Sequence, residues 1–131
     1  MGSNSEIVKK CYESFGKGDI PAVVGILADD IAWTDPGAPD IPYGGNCKGK
    51  PQVAEFFKNM AQACEYTRFE PQRYMESGDQ VVALGFFEGK ARATGKMFQS
   101  DWAMVWTFKN GLVKSFQAYF DTHTIAKAYK N

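Results

Sequence analysis

Apolar residues recur at Val8, Cys11, Tyr12 and Phe15, the i, i+3, i+4, i+7 spacing of one helical face. An amphipathic helix is therefore predicted over Glu6–Gly16, stopped by Gly16 and Gly18, with Met1–Ser5 as a flexible lead-in. Asp19 is placed to cap a second, shorter helix that has Pro21 in its first turn and Ile20, Val23, Val24 and Leu27 on one face. Asp29-Asp30 closes it, and Ile31–Asp35 reads as a short strand. Pro36–Gly49 holds three prolines and four glycines and is expected to be a loop, long enough to serve as a lid or rim. Pro51 opens a third helix whose apolar face is Val53, Phe56, Phe57, Met60 and Cys64.

After that helix the period changes from 3.6 to 2. Strands are predicted over Tyr66–Met75, Gln80–Arg92, Met97–Phe108 and Leu112–Phe120, and Lys109-Asn110-Gly111 is a strong hairpin turn. Asp121 or Thr122 then starts a short last helix through Tyr129. This order defines an α+β architecture, a curved sheet wrapped around helices. In Trp102–Phe108 one face is Trp102, Met104, Trp106 and Phe108, and the other is Ala103, Val105 and Thr107. Both faces are apolar, so the outer one is expected to be covered by a second copy of the chain.

Composition narrows the function. The chain has 131 residues, one domain's worth, and no repeat or linker divides it. Fifteen basic residues balance fifteen acidic ones, which gives no electrostatic case for nucleic acid or an anionic membrane. No apolar run is long enough to span a bilayer or to form a signal peptide, so a soluble cytoplasmic protein is expected. Three cysteines without C-x-x-C spacing and the single His123 are too few soft ligands for zinc, and no glycine-rich phosphate loop is present. No cofactor is called for. Aromatic residues make up 15% of the chain, more ring surface than a core of this size needs, which favours a lined cavity for a hydrophobic small molecule, an oligomer face, or both.

The chemistry centres on Asp35. By strand alternation it shares a face with Ile31 and Trp33 and points where the indole points. In an apolar interior desolvation raises its pKa and makes it a proton-transfer base. The alternative is an Asp-Pro-Gly turn in which Asp35 bonds its own backbone. The proposed lining is Cys11 and Phe15 from the first helix, Trp33, Phe56 and Phe57, then Trp102, Met104 and Trp106, then Phe116, Ala118 and Phe120. Tyr12 either swings its hydroxyl into the cavity or is a core ring; Tyr43 on the long loop faces a ligand or solvent; Asp121 reaches the pocket mouth or caps the last helix.

Several segments together carry a resemblance: Phe15-Gly-Lys-Gly-Asp19, Leu27-Ala-Asp-Asp-Ile-Ala-Trp33, Asp35-Pro-Gly37, Pro42-Tyr-Gly-Gly45, Gly78-Asp-Gln-Val81, Trp106-Thr-Phe-Lys-Asn-Gly111 and Ala118-Tyr-Phe-Asp-Thr122. In that order they resemble the SnoaL-like, ketosteroid-isomerase-related branch of the NTF2-like superfamily, over nearly all of residues 1–131. The resemblance implies a cone of three N-terminal helices packed in a strongly curved mixed or antiparallel sheet, a short C-terminal helix, and a homodimer formed through the sheet. It places the isomerase's general base at Asp35. It also places the two oxyanion-hole positions at Cys11 and near Met104, and neither a thiol nor a thioether stabilises an enolate strongly. The Arg and two Asp of the epoxide-hydrolase branch fall near Gly85, Phe87 and Ala118, which carry no charge. Two functions follow from this: proton abstraction of isomerase or cyclase type on a hydrophobic carbonyl compound, or non-catalytic binding of an apolar small molecule.

Overall fold

The computed structural model describes residues 3–37 and 41–130, so part of the predicted loop, 38–40, lies outside the described residues. Helix α1 spans Asn4–Gly16. Its N-cap is Ser3, whose hydroxyl accepts from the Glu6 amide at 3.2 Å, so helix replaces the expected lead-in from Asn4 onward. Buried Val8, Cys11 and Tyr12 form its inner face. Helix α2 (Ile20–Gly25) is capped as expected, with the Asp19 carboxylate accepting from the Ala22 amide at 3.2 Å.

Strand β1 runs over Leu27–Asp35 and starts earlier than its pattern suggests. Leu27 pairs with Val113 but Ala32 with Ser115, so the intervening residues bulge out of register. That bulge carries Asp29 and Asp30 into solvent, where they pair with Lys50 and Lys114. The two acids that seemed to end a helix are therefore an outward kink in a strand. Strand β2 (Gly45–Lys48) interrupts the predicted loop and pairs antiparallel with β1, Asp35 opposite Gly45 and Trp33 opposite Cys47.

Helix α3 (Lys50–Ala63) buries Val53, Phe56, Phe57 and Met60. It stops one residue short of Cys64, which the helical pattern had included and which instead opens strand β3 (Cys64–Ser77). Strands β4 (Gln80–Ala91), β5 (Met97–Lys109) and β6 (Leu112–Phe120) follow, then helix α4 (Thr122–Ala128). The β5–β6 hairpin turns at Asn110 and Gly111, both at positive φ as the Asn-Gly signal requires.

The six strands form one curled sheet in the order β2-β1-β6-β5-β4-β3, antiparallel throughout except for the parallel β1–β6 pair. Its concave face supplies Val81, Ala83 and Phe87 from β4, Trp102, Met104, Trp106 and Phe108 from β5, and Val113, Phe116 and Ala118 from β6. Close packing here depends on two glycines. Gly85 stands opposite Trp102 and Gly89 opposite Phe98, and each ring lies across the bare backbone of its partner. The convex face keeps Val82, Leu84, Phe86, Ala103 and Val105 only half-buried.

Candidate active site

Ile31, Trp33 and Asp35 are buried, while Ala32 is exposed and Thr34 half-buried, so strand alternation does turn Asp35 inward. Asp35 is 8% exposed, and its carboxylate has no hydrogen bond or ion pair with any described residue. Burial alone pushes its pKa up to about 7. The turn reading of Asp35 is thereby displaced: the carboxylate does not bond its own backbone.

Asp35 lies in the wall of an apolar cavity. Helix α1 contributes Cys11, Tyr12 and Phe15, α3 contributes Phe56, Phe57 and Met60, and β1 contributes Trp33 beside the acid. Met104 and Trp106 of β5 and Phe116 and Phe120 of β6 close the far side. Trp33, Phe116 and Trp106 form one row across three neighbouring strands. Trp33 stacks on Phe116 at 3.8 Å between centroids, and Trp106 meets Phe116 edge-on at 4.7 Å. The space is about 50 Å³, enough for a few waters and smaller than the ligand-sized cavity expected from the ring content. A wider surface groove of about 320 Å³ runs outside it, and Phe15, Phe57, Met60 and Tyr66 line both. Those four side chains are the wall between them.

Tyr12 is a core ring with a polar role. Its hydroxyl accepts from Trp106 Nε1 at 3.0 Å and donates to the Met104 sulfur at 3.1 Å. Burial holds its pKa well above the usual phenol value, so it remains a protonated donor. Its acceptor is a thioether, a weak one that a carbonyl oxygen would readily replace. Burial likewise drives the Cys11 thiol up to about 12, so it is no nucleophile. Tyr12→Phe is expected to leave the Trp106 N–H buried without an acceptor and to cost about 1–3 kcal/mol, measured by urea denaturation.

Four expected lining residues lie elsewhere. Tyr43 is buried, not at the rim, and packs edge-on against Phe56 and Tyr129. Trp102 sits on the right face but too far along β5, covered by Tyr12 and Phe69. Ala118 is fully buried beneath its neighbours and does not reach the cavity. Asp121 is exposed and caps α4, its carboxylate accepting from the Thr124 amide at 3.1 Å, while its own amide donates to Ser100 Oγ at 3.0 Å. The Thr124 hydroxyl, which donates to the same carboxylate at 2.7 Å, and then that amide hold its carboxyl below the usual range. Besides Met60, the lining also includes Val23, Tyr66, Phe69 and Phe87, which the sequence pattern had not placed there. No group of three or more His, Cys, Asp or Glu residues is positioned to hold a metal among the described residues, and no helix is long and apolar enough to cross a membrane.

A helix-filled curled sheet with a lone buried carboxylate in an aromatic cavity defines an NTF2-like α+β domain. The SnoaL-like domain model matches residues 8–116, and the chain belongs to that family. No curated protein matches the sequence. Among solved structures, an NTF2-like protein of unknown function from Burkholderia pseudomallei is 31% identical, with a TM-score of 0.91 and 100% of both chains covered. A candidate SnoaL-like polyketide cyclase from Mesorhizobium loti is 23% identical, with a TM-score of 0.75 over 90% of this chain and 99% of its own. A candidate isomerase from Rhodopseudomonas palustris is 20% identical, with a TM-score of 0.79 over 98% of this chain and 97% of its own.

Proposed function

We propose that the chain is an isomerase- or cyclase-type enzyme that abstracts a proton from the carbon beside a carbonyl in a hydrophobic cyclic substrate, with Asp35 as the base. The observation that carries this reading is the unpaired carboxylate in an apolar wall. Water would solvate such a group better, and the fold gives it no cation to compensate. A base with a pKa near 7 is matched to neutral pH, being substantially ionised yet able to hold a proton. The cyclase and isomerase names carried by two neighbours belong to the same kind of chemistry. The test is deuterium uptake at the activated carbon of 2-tetralone in D₂O, followed by proton NMR. Exchange catalysed by the parent and lost in Asp35→Asn supports the reading.

A second reading, binding without chemistry, draws on Cys11 and Met104, which occupy the positions where the related isomerase keeps strong donors. It predicts that 2-tetralone binds equally well to parent and Asp35→Asn and that neither accelerates exchange.

We also propose that the chain pairs with a second copy through its convex face. Val82 and Leu84 of β4 register with Val105 and Ala103 of β5, giving a contiguous apolar patch, and Tyr119 beside Ala103 is 56% exposed. Leu84→Glu is expected to halve the mass seen by light scattering at micromolar concentration while leaving the circular dichroism unchanged.

A further inference from the structure

Trp33 stands two residues before Asp35 on the same face of β1 and lines the same cavity. Its side chain is 3% exposed, and its indole N–H has no protein acceptor. Burying an indole without a partner for its N–H is costly, and such a group calls for an explanation. The ring is held on several sides, by Phe116 at 3.8 Å, Phe57 at 5.5 Å, Trp106 at 5.9 Å and Phe56 at 6.1 Å. The ring is thereby held in place. The neighbouring Trp106 shows that the fold can satisfy an indole in this cavity, because its N–H is given the Tyr12 hydroxyl.

We propose that the Trp33 N–H is the hydrogen-bond donor that receives the substrate's carbonyl oxygen while Asp35 takes the proton from the adjacent carbon. This rests on the reading of Asp35 as the base. Alternate residues of a strand lie roughly 7 Å apart along it, so base and donor face neighbouring parts of one cavity, which must widen beyond its about 50 Å³ to admit a ring. As the C–H bond breaks, its proton passes to an Asp35 carboxylate oxygen and its electron pair moves into a carbon–carbon double bond. The carbonyl oxygen takes on the negative charge of an enolate, and the indole N–H holds it. When the charge collapses, the proton returns to carbon, so no further reactant is needed.

The lining also sets the substrate class. It contains no Lys, Arg or His, so an anionic substrate would find no counter-charge there. The ligand is a neutral, largely hydrocarbon ring compound with one carbonyl and an acidic C–H beside it. Cys11 and Met104, weak at the positions the related isomerase uses, are bypassed by a donor on the base's own strand.

The test uses the full chain with ¹⁵N-labelled indoles and two probes of one skeleton, 2-tetralone and tetralin, which lacks the oxygen. The Trp33 N–H resonance, assigned through Trp33→Phe, should move downfield with 2-tetralone and stay in place with tetralin. Trp102 is the internal control, because its N–H is also without a protein acceptor but does not line the cavity. Trp33→Phe should slow 2-tetralone exchange by about 10²–10³-fold, the usual effect of losing one such donor, with the pH midpoint unchanged. A Trp33 resonance that does not respond to 2-tetralone overturns the donor role, whatever the exchange rate. Exchange that survives Trp33→Phe at the parent rate overturns it too. If the resonance responds but Asp35→Asn exchanges as fast as the parent, the donor stands and Asp35 as base is what fails.

Discussion

Asp35→Asn is expected to abolish proton abstraction, by about 10²–10⁴-fold, and to stabilise the protein as pH rises. The two effects share one origin. The Asp35 pKa is raised by burial to about 7 in the fold, against about 3.9 in an unfolded chain. Below pH 4 the group is protonated in both states and burial costs little. Between pH 4 and 7 the folded form holds a proton that the unfolded form has released, so stability falls as pH rises and levels off above 7. Three pKa units amount to about 4 kcal/mol, an upper figure for what the carboxylate costs at pH 8. Urea denaturation should therefore show parent and Asp35→Asn close together at pH 4 and well separated at pH 8, the variant being the more stable. Parallel curves would mean that the carboxylate is not buried in solution. Activity should run the opposite way, rising through pH 7 as Asp35 ionises.

Gly85→Ala should be the most disruptive single-methyl change in the sheet. A Cβ there would stand 2.3 Å from the Trp102 ring and 2.4 Å from the Glu70 carbonyl oxygen. Neither can yield easily. The indole is wedged between Tyr12 and Phe69, at 5.4 and 5.2 Å, and the carbonyl belongs to the paired strand β3. Overpacking a core commonly costs 1–3 kcal/mol, and with backbone among the atoms that must move, a loss of about 3 kcal/mol or more is expected. Thermal unfolding measures it. Ala83→Gly on the same strand removes a buried methyl as well as strand propensity and should cost about 1–2 kcal/mol.

Helices α1 and α3 and the β5–β6 hairpin were legible because one local signal decides each: a 3.6-residue period, a proline in the first turn, an Asn-Gly turn. Asp35 was legible for the same reason, since three alternating positions fix its direction once β1 is recognised. Strand β2 was not legible. Gly-Asn-Cys-Lys has no alternation of its own, and only the edge of β1 makes it a strand. The missed lining of β3 has another cause. Its pairing with β4 slips between Tyr66 and Arg68 and again between Pro71 and Arg73, so Tyr66, Phe69 and Tyr74 all turn toward the helices at spacings no period of 2 would give. Asp121 shows a third limit: a residue before Thr-His-Thr can cap a helix or face a pocket, and here Thr124 holds the carboxylate while the Ser100 hydroxyl, twenty-one positions away, anchors the Asp121 amide.

The wall of Phe15, Phe57, Met60 and Tyr66 between cavity and groove bears on kinetics. On the proposed function, a ring-sized molecule that enters from the groove must pass these side chains, and Met60, unbranched and adaptable, moves most cheaply. Association is then governed by the frequency of that opening, not by diffusion, and falls below the rates usual for open sites. Departure is slowed by the same barrier. A substitution that trims the wall is expected to speed entry and exit together while leaving affinity nearly unchanged, which stopped-flow binding of 2-tetralone measures.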